Sequence, residues 1–294
     1  MSLLKIKNCL FKVMLELFVL NKAKKSIIKS RWAKKNLKKY VDFGYKNVSF
    51  EPTKKVSGEN EVIFQYWQQG YDNAPLLIKK CLESTKKYNP DKKIIFLDFP
   101  KIKDYIEIPS RYYDLFKKGK IKSAHFSDVV RTYLLSQYGG LWVDSTIYFT
   151  GKIPDNIFNS DFFVFSKDEK TDWLENNMSN YFIRSKAQNR MINSIKSALD
   201  YYWLENNFVI NYFMYEHMVT MLSKKEGLKE DWAKMPYYSA FDTGVLLSVM
   251  NKDYDDKTFN EIKSKTNIHK LSYKRILPKT SGKSYYDKII REEI

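Results

Sequence analysis

Residues Ser127 to Thr146 read SDVVRTYLLSQYGGLWVDST, and this stretch decides the fold. Its first half predicts a helix: Ser127 is an N-cap candidate, and Asp128 opens the first turn, where a carboxylate suits the helix dipole. Val130, Tyr133, Leu134 and Tyr138 recur at helical spacing, and Gly139 ends the run. Leu141, Trp142 and Val143 then form a short apolar run suited to a buried strand, with Asp144 where that strand emerges. Helix, glycine pair, strand and terminal carboxylate together are α/β grammar. In open α/β sheets ligands bind outside the carboxyl ends of the strands, so Asp144 faces a crevice.

Asp144 is therefore the first candidate for contact with a sugar hydroxyl or a cation. Asp128 and Arg131 are three apart on the helix, share a face, and can point together at a polar ligand. First-turn carboxylates and three-apart ion pairs are also ordinary helix devices, so the same two residues read equally as a cap and a surface pair.

The stretch resembles a glycosyltransferase signature in which a helix beginning Ser-Asp and carrying an Arg runs into Tyr-Gly-Gly, a short strand and an Asp-containing triplet. Here these are Ser127, Asp128, Arg131, Tyr138, Gly139, Gly140 and Asp144. The likeness is to the bacterial capsular polysaccharide synthesis family, and it extends from about Val62 to Lys274. Ile63 to Gly70, Ala74-Pro75, Cys81 to Ser84, Gly119 to Ile121 and Ala124 to Asp128 carry it upstream. The resemblance implies the A-type nucleotide-sugar transferase fold, a Rossmann-like mixed sheet flanked by helices. It implies transfer of a glycosyl group from a nucleotide-diphosphate sugar to a hydroxyl of a growing, lipid-linked glycan, with retention of anomeric configuration.

By the same resemblance Asp144, Asp128 and Arg131 are the catalytic candidates. Gln65, Trp67, Gly140, Ser145, Thr146 and Lys270 are the donor-binding candidates, Trp67 by stacking on the base or, equally, as a core aromatic. In many nucleotide-sugar transferases of the A-type fold the triplet is Asp-X-Asp, whereas this chain has Asp144, Ser145 and Thr146, an Asp-small-Thr that the capsular family tolerates. A divalent cation (Mn²⁺ or Mg²⁺) bridging the donor diphosphate would thus lack one hard ligand. Asp144 and His269 are the metal-ligand candidates, His269 because a late His-bearing basic segment closes over the diphosphate in related transferases. That segment, Ile268 to Lys274, reads equally as an exposed basic loop.

Alternation of strand and helix signals begins at Val62. Val62 to Trp67 and Lys93 to Leu97 read as strands around a helix from Ala74 to Tyr88 with Pro75 at its first position. Met178 to Arg184 reads as a further strand, and Met191 to Glu205 and Phe208 to Ser223 as two long helices. His217 on the last of these is a minor site candidate, and His125 is assigned no chemistry.

No Gly, Ser or Pro linker divides the 294 residues, which predicts an N-terminal appendage over 1–50 and one catalytic domain over 51–294. Leu3 to Leu20 is apolar but interrupted by Lys5, Lys7, Lys12 and Glu16, too short and too charged to span a bilayer, and no small-residue cleavage site follows it. Nine basic residues between Lys22 and Lys39 follow, so the whole reads as a basic amphipathic arm, suited to an anionic membrane surface or to packing on the domain. The formal charge of +17 calls for an anionic partner. Zinc-finger spacing, RNA-recognition aromatics and a basic zipper are all missing, so nucleic acid is not that partner. Cys9 and Cys81 form no disulfide framework or metal spacing, which fits a cytoplasmic protein, peripheral on the inner face of the membrane. A non-catalytic sugar- or nucleotide-binding scaffold descended from a transferase is the alternative, and turnover of nucleotide sugar separates the two.

Overall fold

The computed structural model describes residues 3–18, 21–50, 62–168, 170, 172, 174–274 and 282–294. Two helices open the chain, α1 (Leu3–Phe18) and α2 (Lys22–Lys46). Then come β1 (Val62–Tyr66), α3 (Leu76–Tyr88), β2 (Lys93–Leu97), α4 (Ile102–Tyr105) and α5 (Ser110–Lys117). The central segment is α6 (Ser123–Tyr138), β3 (Gly140–Val143), β4 (Ile147–Phe149), α7 (Asp155–Phe158), β5 (Phe162–Ser166) and β6 (Met178–Ser185). Helices α8 (Arg190–Glu205), α9 (Met214–Leu222), α10 (Leu228–Ala233), α11 (Ala240–Thr243), α12 (Val245–Val249) and α13 (Asp256–Lys265) lead to β7 (Ile268–Lys270) and α14 (Tyr285–Ile290).

Five strands form one mixed sheet in the order β2-β1-β3-β6-β5. β1 is parallel to β2 and β3, and β6 is antiparallel to β3 and β5. This is the Rossmann-like mixed sheet flanked by helices expected from the sequence. Alternation along each strand divides the core. Phe64, Trp142, Val164 and Ile183 face the layer of α2, α6, α8 and α9, while Ile63, Leu141, Val143, Phe163 and Phe182 face the opposite layer. Strands β4 and β7 pair in a separate ribbon, Ile147 with Lys270 and Tyr148 with His269, and this ribbon brings the end of the chain back to the carboxyl end of β3.

Several sequence boundaries move. Helix α6 starts a turn before Ser127, with Lys122 as its N-cap, because Ala124, His125 and Phe126 continue the helix and the side chains of His125 and Phe126 are buried. Ser127 and Asp128 are thus interior residues, and Asp128 owes its setting to side-chain partners rather than to the helix dipole. Pro75 is the N-cap of α3, not its first helical residue. The long helix expected from Phe208 begins only at Met214: Asn211 Oδ1 accepts the Phe213 backbone N–H at 2.8 Å, and this local turn competes with the helix. Residues 206–213 instead form a loop whose Tyr212 is 66% exposed.

The N-terminal helices also divide differently from the expected arm. Ala33, Leu37, Tyr40 and Val41 of α2 belong to the main core. At Gly44 an added Cβ would lie 2.3 Å from the Ser194 carbonyl oxygen, so glycine permits the close crossing of α2 over α8. A boundary at residue 50 therefore does not separate two cores; α1 alone projects an open apolar face.

Candidate functional site

β3 ends at the junction of α6, β6 and β7, and that junction collects the polar groups. The Asp144 backbone N–H donates to the Tyr181 carbonyl at 2.9 Å, which continues the β3–β6 ladder one step and aligns the Asp144 side chain over the sheet end. Asp144 Oδ1 accepts from Trp142 Nε1 at 2.8 Å and from Arg131 Nη2 at 3.2 Å, and its Oδ2 accepts from Lys270 Nζ at 2.8 Å. Lys270 also donates to the Thr146 hydroxyl and lies 5.2 Å from the centre of the Tyr181 ring. One carboxylate is thus held by a guanidinium, an ammonium and an indole.

Arg131 is the hub. It is buried, and its guanidinium sits 5.0 Å from the Trp142 ring and 5.8 Å from the Tyr215 ring, against whose faces a cation is stabilised. Nη1 donates to the Asn180 carbonyl and lies 3.5 Å from Asp128 Oδ1, while Nη2 reaches the Ser127 hydroxyl at 3.3 Å. Asp128 Oδ1 also accepts from Asn180 Nδ2 at 3.1 Å. The expected pairing of Asp128 with Arg131 exists, but in the interior, where ions need several partners each.

The two carboxylates have opposite electrostatics. Burial pushes the Asp128 carboxyl up to about 6, against the pull of Arg131 and with the help of the nearby Asp144 charge. Burial also works against the charge of Asp144, but Lys270 and Arg131 outweigh it and hold that carboxyl below its ordinary value. Asp144 is accordingly a fixed anion, and Asp128 titrates near neutrality. The side chains of Asp144 and Lys270 keep 22% and 29% of their surface exposed, so this pair is the part of the cluster that is open to solvent.

Other sequence candidates lie elsewhere. Gln65 is buried and donates to the Thr85 hydroxyl of α3 at 3.0 Å, so its amide is spent within the core. Gly140 is at the opposite end of β3 from Asp144; a Cβ there would lie 2.6 Å from Val62, so its role is close strand packing. Ser145 is buried in the turn between β3 and β4. Trp67 follows β1, meets Tyr273 edge-on at 5.6 Å, and carries a buried indole N–H without a partner. The late segment therefore closes over both strand ends, with Lys270 on Asp144 and Tyr273 on Trp67.

His269 takes the other face of that segment. Neighbours in a strand point to opposite sides, and the His269 ring meets the Thr150 hydroxyl at 2.9 Å while Lys270 meets Asp144. Burial lowers His269 to about 4. The pairing of Asp144 with His269 as metal ligands is thus not formed, and no cluster of three or more His, Cys, Asp or Glu suited to a metal occurs among the described residues. This donor set does not fit a divalent cation: both Asp144 oxygens already face cationic donors, and Thr146 accepts from Lys270. His217 is buried, bonded to Asn176 and lowered by burial to about 3.

Sequence reasoning missed Asn180 and Trp142 as a donor; Tyr212 and Glu216 it offered, with Asn211, Phe213 and His217, only as polar groups on neighbouring faces of one helix. Glu216 is buried beside Lys167 and Asn176, each 3.3 Å away, and burial raises its carboxyl. Tyr212 receives a hydrogen bond from His125 Nε2 on its carbonyl, at 3.2 Å. The 206–213 loop thus borders the site. A polar Asn180 in the apolar β6 run was the available signal.

The sequence matches the profile of the family described as capsular polysaccharide synthesis protein over residues 15–289, and the chain belongs to that family. It is similar to an uncharacterized glycosyltransferase of Acanthamoeba polyphaga mimivirus, 29% identical over 122 residues. That match covers 41% of this chain and 46% of the relative, so the chain spans about half the length of the curated relative it matches. The solved PaToxG glycosyltransferase is a fainter likeness, with 16% identity, 71% of this chain and 82% of that one covered, and a TM-score of 0.41.

Proposed function

We propose that the protein is a glycosyltransferase that moves a sugar from a nucleotide-diphosphate sugar to a hydroxyl of a glycan in the assembly of capsular or other surface polysaccharide. Family membership supports the reaction class, and the observation that carries the site is Asp144 at the carboxyl end of β3, held by Arg131 and Lys270 and open to solvent on one side.

In this reading the anomeric carbon's bond to the phosphate oxygen breaks, its electron pair leaves with the diphosphate, and the acceptor oxygen bonds to the same carbon as its hydroxyl proton passes to the departing diphosphate. Charge grows on the leaving oxygen, so a cation fixed beforehand lowers the barrier without reorganising. Lys270 is that cation. On donor binding, before the bond breaks, it moves from Asp144 onto the diphosphate, and Asp144, still held by Arg131 and Trp142, accepts hydroxyls of the donor sugar. Asp128 and Asn180 fix Arg131, and Trp67 with Tyr273 forms an aromatic wall for the base at the end of β1.

The acceptor in this reading is lipid-linked, and α1 lies on an anionic bilayer at the inner face of the cell membrane. What supports this is the helix itself: Leu3, Ile6, Leu10, Val13, Met14 and Leu17 are all exposed, with Lys5, Lys7 and Lys12 beside them. No helix among the described residues is long and apolar enough to cross a membrane.

The test is transfer of radiolabelled sugar from a panel of nucleotide sugars to membrane extracts. Asp144→Ala should abolish incorporation while leaving the circular-dichroism spectrum and the melting transition near those of the wild type. Wild-type incorporation by that variant would sink the assignment.

A further inference from the structure

Helices α1 and α2 and the 209–213 loop line a cleft of about 320 Å³. One wall comes from α1 and α2 through Asn8, Phe11, Lys12, Lys29 and Trp32, and the other from the 209–213 loop, ending in Tyr212. The wall is built rather than incidental: Phe11 and Trp32 stack with ring centres 4.5 Å apart and planes 10° from parallel, and Glu16 pairs with Lys25 and Lys29 to tie α1 to α2. Asn8 is 5% exposed, and its side-chain oxygen has no hydrogen-bond partner. A buried amide oxygen left unpaired costs free energy that a donor entering the cleft would recover.

Three features of the cleft select its ligand. Its floor is apolar and aromatic, which suits a hydrocarbon chain. Lys12 and Lys29 give it two cations, which suit a phosphate, Lys29 sharing Glu16, at 3.3 Å, with the closer Lys25 at 2.5 Å. At its inner end Tyr212 is bound to His125 in the first turn of α6, the helix that carries Asp128 and Arg131. Its outer wall is continuous with the bilayer-facing stripe of α1. At about 100° per residue, Leu3, Ile6, Leu10, Val13, Met14 and Leu17 fall within one sector, while Leu4, Asn8, Phe11 and Leu15 fall on the opposite side. One helix thus presents one face outward and lines the cleft with the other.

We infer that this cleft binds the phosphorylated lipid carrier of the acceptor, its chain along Phe11 and Trp32, its phosphate between Lys12 and Lys29, and its glycan leading past Tyr212 toward Asp128. The inference rests on the transferase reading for the word acceptor; the ligand chemistry rests on the cleft alone. The lipid is drawn from the bilayer beneath α1 and reaches the site without leaving the protein surface.

Calorimetric titration of the full chain in detergent with farnesyl phosphate, farnesol and inorganic phosphate separates the contributions. Farnesyl phosphate should bind at least about tenfold more tightly than either fragment, since chain and charge act together on one molecule. The Lys12→Glu/Lys29→Glu variant should lose about tenfold or more of that affinity. Ser26 lies on the α2 wall of the cleft, so Ser26→Trp, which fills it without changing charge, should lose that affinity as well, and covers the case in which reversing Lys29 loosens α1 from α2. Equal binding of farnesyl phosphate and inorganic phosphate, or farnesyl phosphate affinity unchanged in both variants, would overturn the cleft.

Hydrolysis of nucleotide sugar, followed on the same preparations, keeps the two readings apart. Wild-type hydrolysis without farnesyl phosphate binding overturns the cleft and spares the transferase. Farnesyl phosphate binding that both variants lose, in a protein that turns over no nucleotide sugar, supports the cleft and overturns the activity. Where both are present, the cleft variants should raise KM for a farnesyl-phosphate-linked acceptor and leave KM for the donor unchanged.

Discussion

Lys270 Nζ lies 2.8 Å from Asp144 Oδ2, a contact that joins residues 126 positions apart and sets the last strand of the fold against the end of β3. Arg131 takes the other oxygen of the same carboxylate. In the proposed reading this cation meets the leaving diphosphate, and the neighbouring carboxylate has no second acidic partner in its triplet.

Removing that cation should cost turnover more than folding. Lys270→Ala is expected to lower the transfer rate at least about 100-fold, the usual scale for deleting one fixed charge at a leaving group, while Lys270→Arg keeps part of it. Because Lys270 and Asp144 act on each other, Lys270→Ala combined with Asp144→Ala should cost much less than the sum of the single losses. The wild type should keep turning over in excess chelator. Complete loss of activity in chelator, restored by Mn²⁺, would show that the ammonium is not the charge that matters.

The pH dependence follows from Asp128. Its folded value of about 6 lies above the unfolded value of about 3.9, so the native state favours the protonated acid. The stability this contributes is complete below about pH 4 and is lost as pH rises through about 6. Activity runs the other way: the anion braces Arg131, so kcat/KM should rise through a limb near pH 6 that is absent from Asp128→Asn. A limb unchanged in that variant would assign the titration to another group.

Much of this was legible in the chain. Strands β1, β2 and β6 and helix α8 have the strong periodicity that tertiary context rarely overturns, and the Gly-Gly pair fixed the step from α6 into β3. Asp144, Asp128, Arg131 and Lys270 were each visible as chemistry at an expected position. Their wiring was not. Ser127 looked like a cap only because the upstream turn, whose burial comes from Phe126 packing on Phe99 and Phe116, has no local signature. Gln65 looked available because sequence shows the strand but not the Thr85 hydroxyl above it. His269 and Lys270 were adjacent in a promising segment, and only the register of β7 against β4 decides which of them faces Asp144.

The same limit applies to the N-terminal arm, where composition could not tell packed lysines from open ones. The structure separates them: α2 is bound into the core, and the exposed apolar stripe belongs to α1. Leu10 and Leu17 are 62% and 69% exposed, so Leu10→Asp/Leu17→Asp should leave the melting temperature unchanged. The double variant should lose about tenfold or more in partition onto vesicles containing phosphatidylglycerol, because each carboxylate would have to enter the acyl boundary. Raising the ionic strength to about 1 M, where the Debye length falls to about 3 Å, should weaken wild-type binding by removing the lysine contribution while sparing the apolar one. Co-sedimentation that is indifferent to both changes would mean that this face of α1 does not meet the bilayer. A wild type that forms dimers in solution, with the double variant monomeric, would instead assign the stripe to a second copy of the chain.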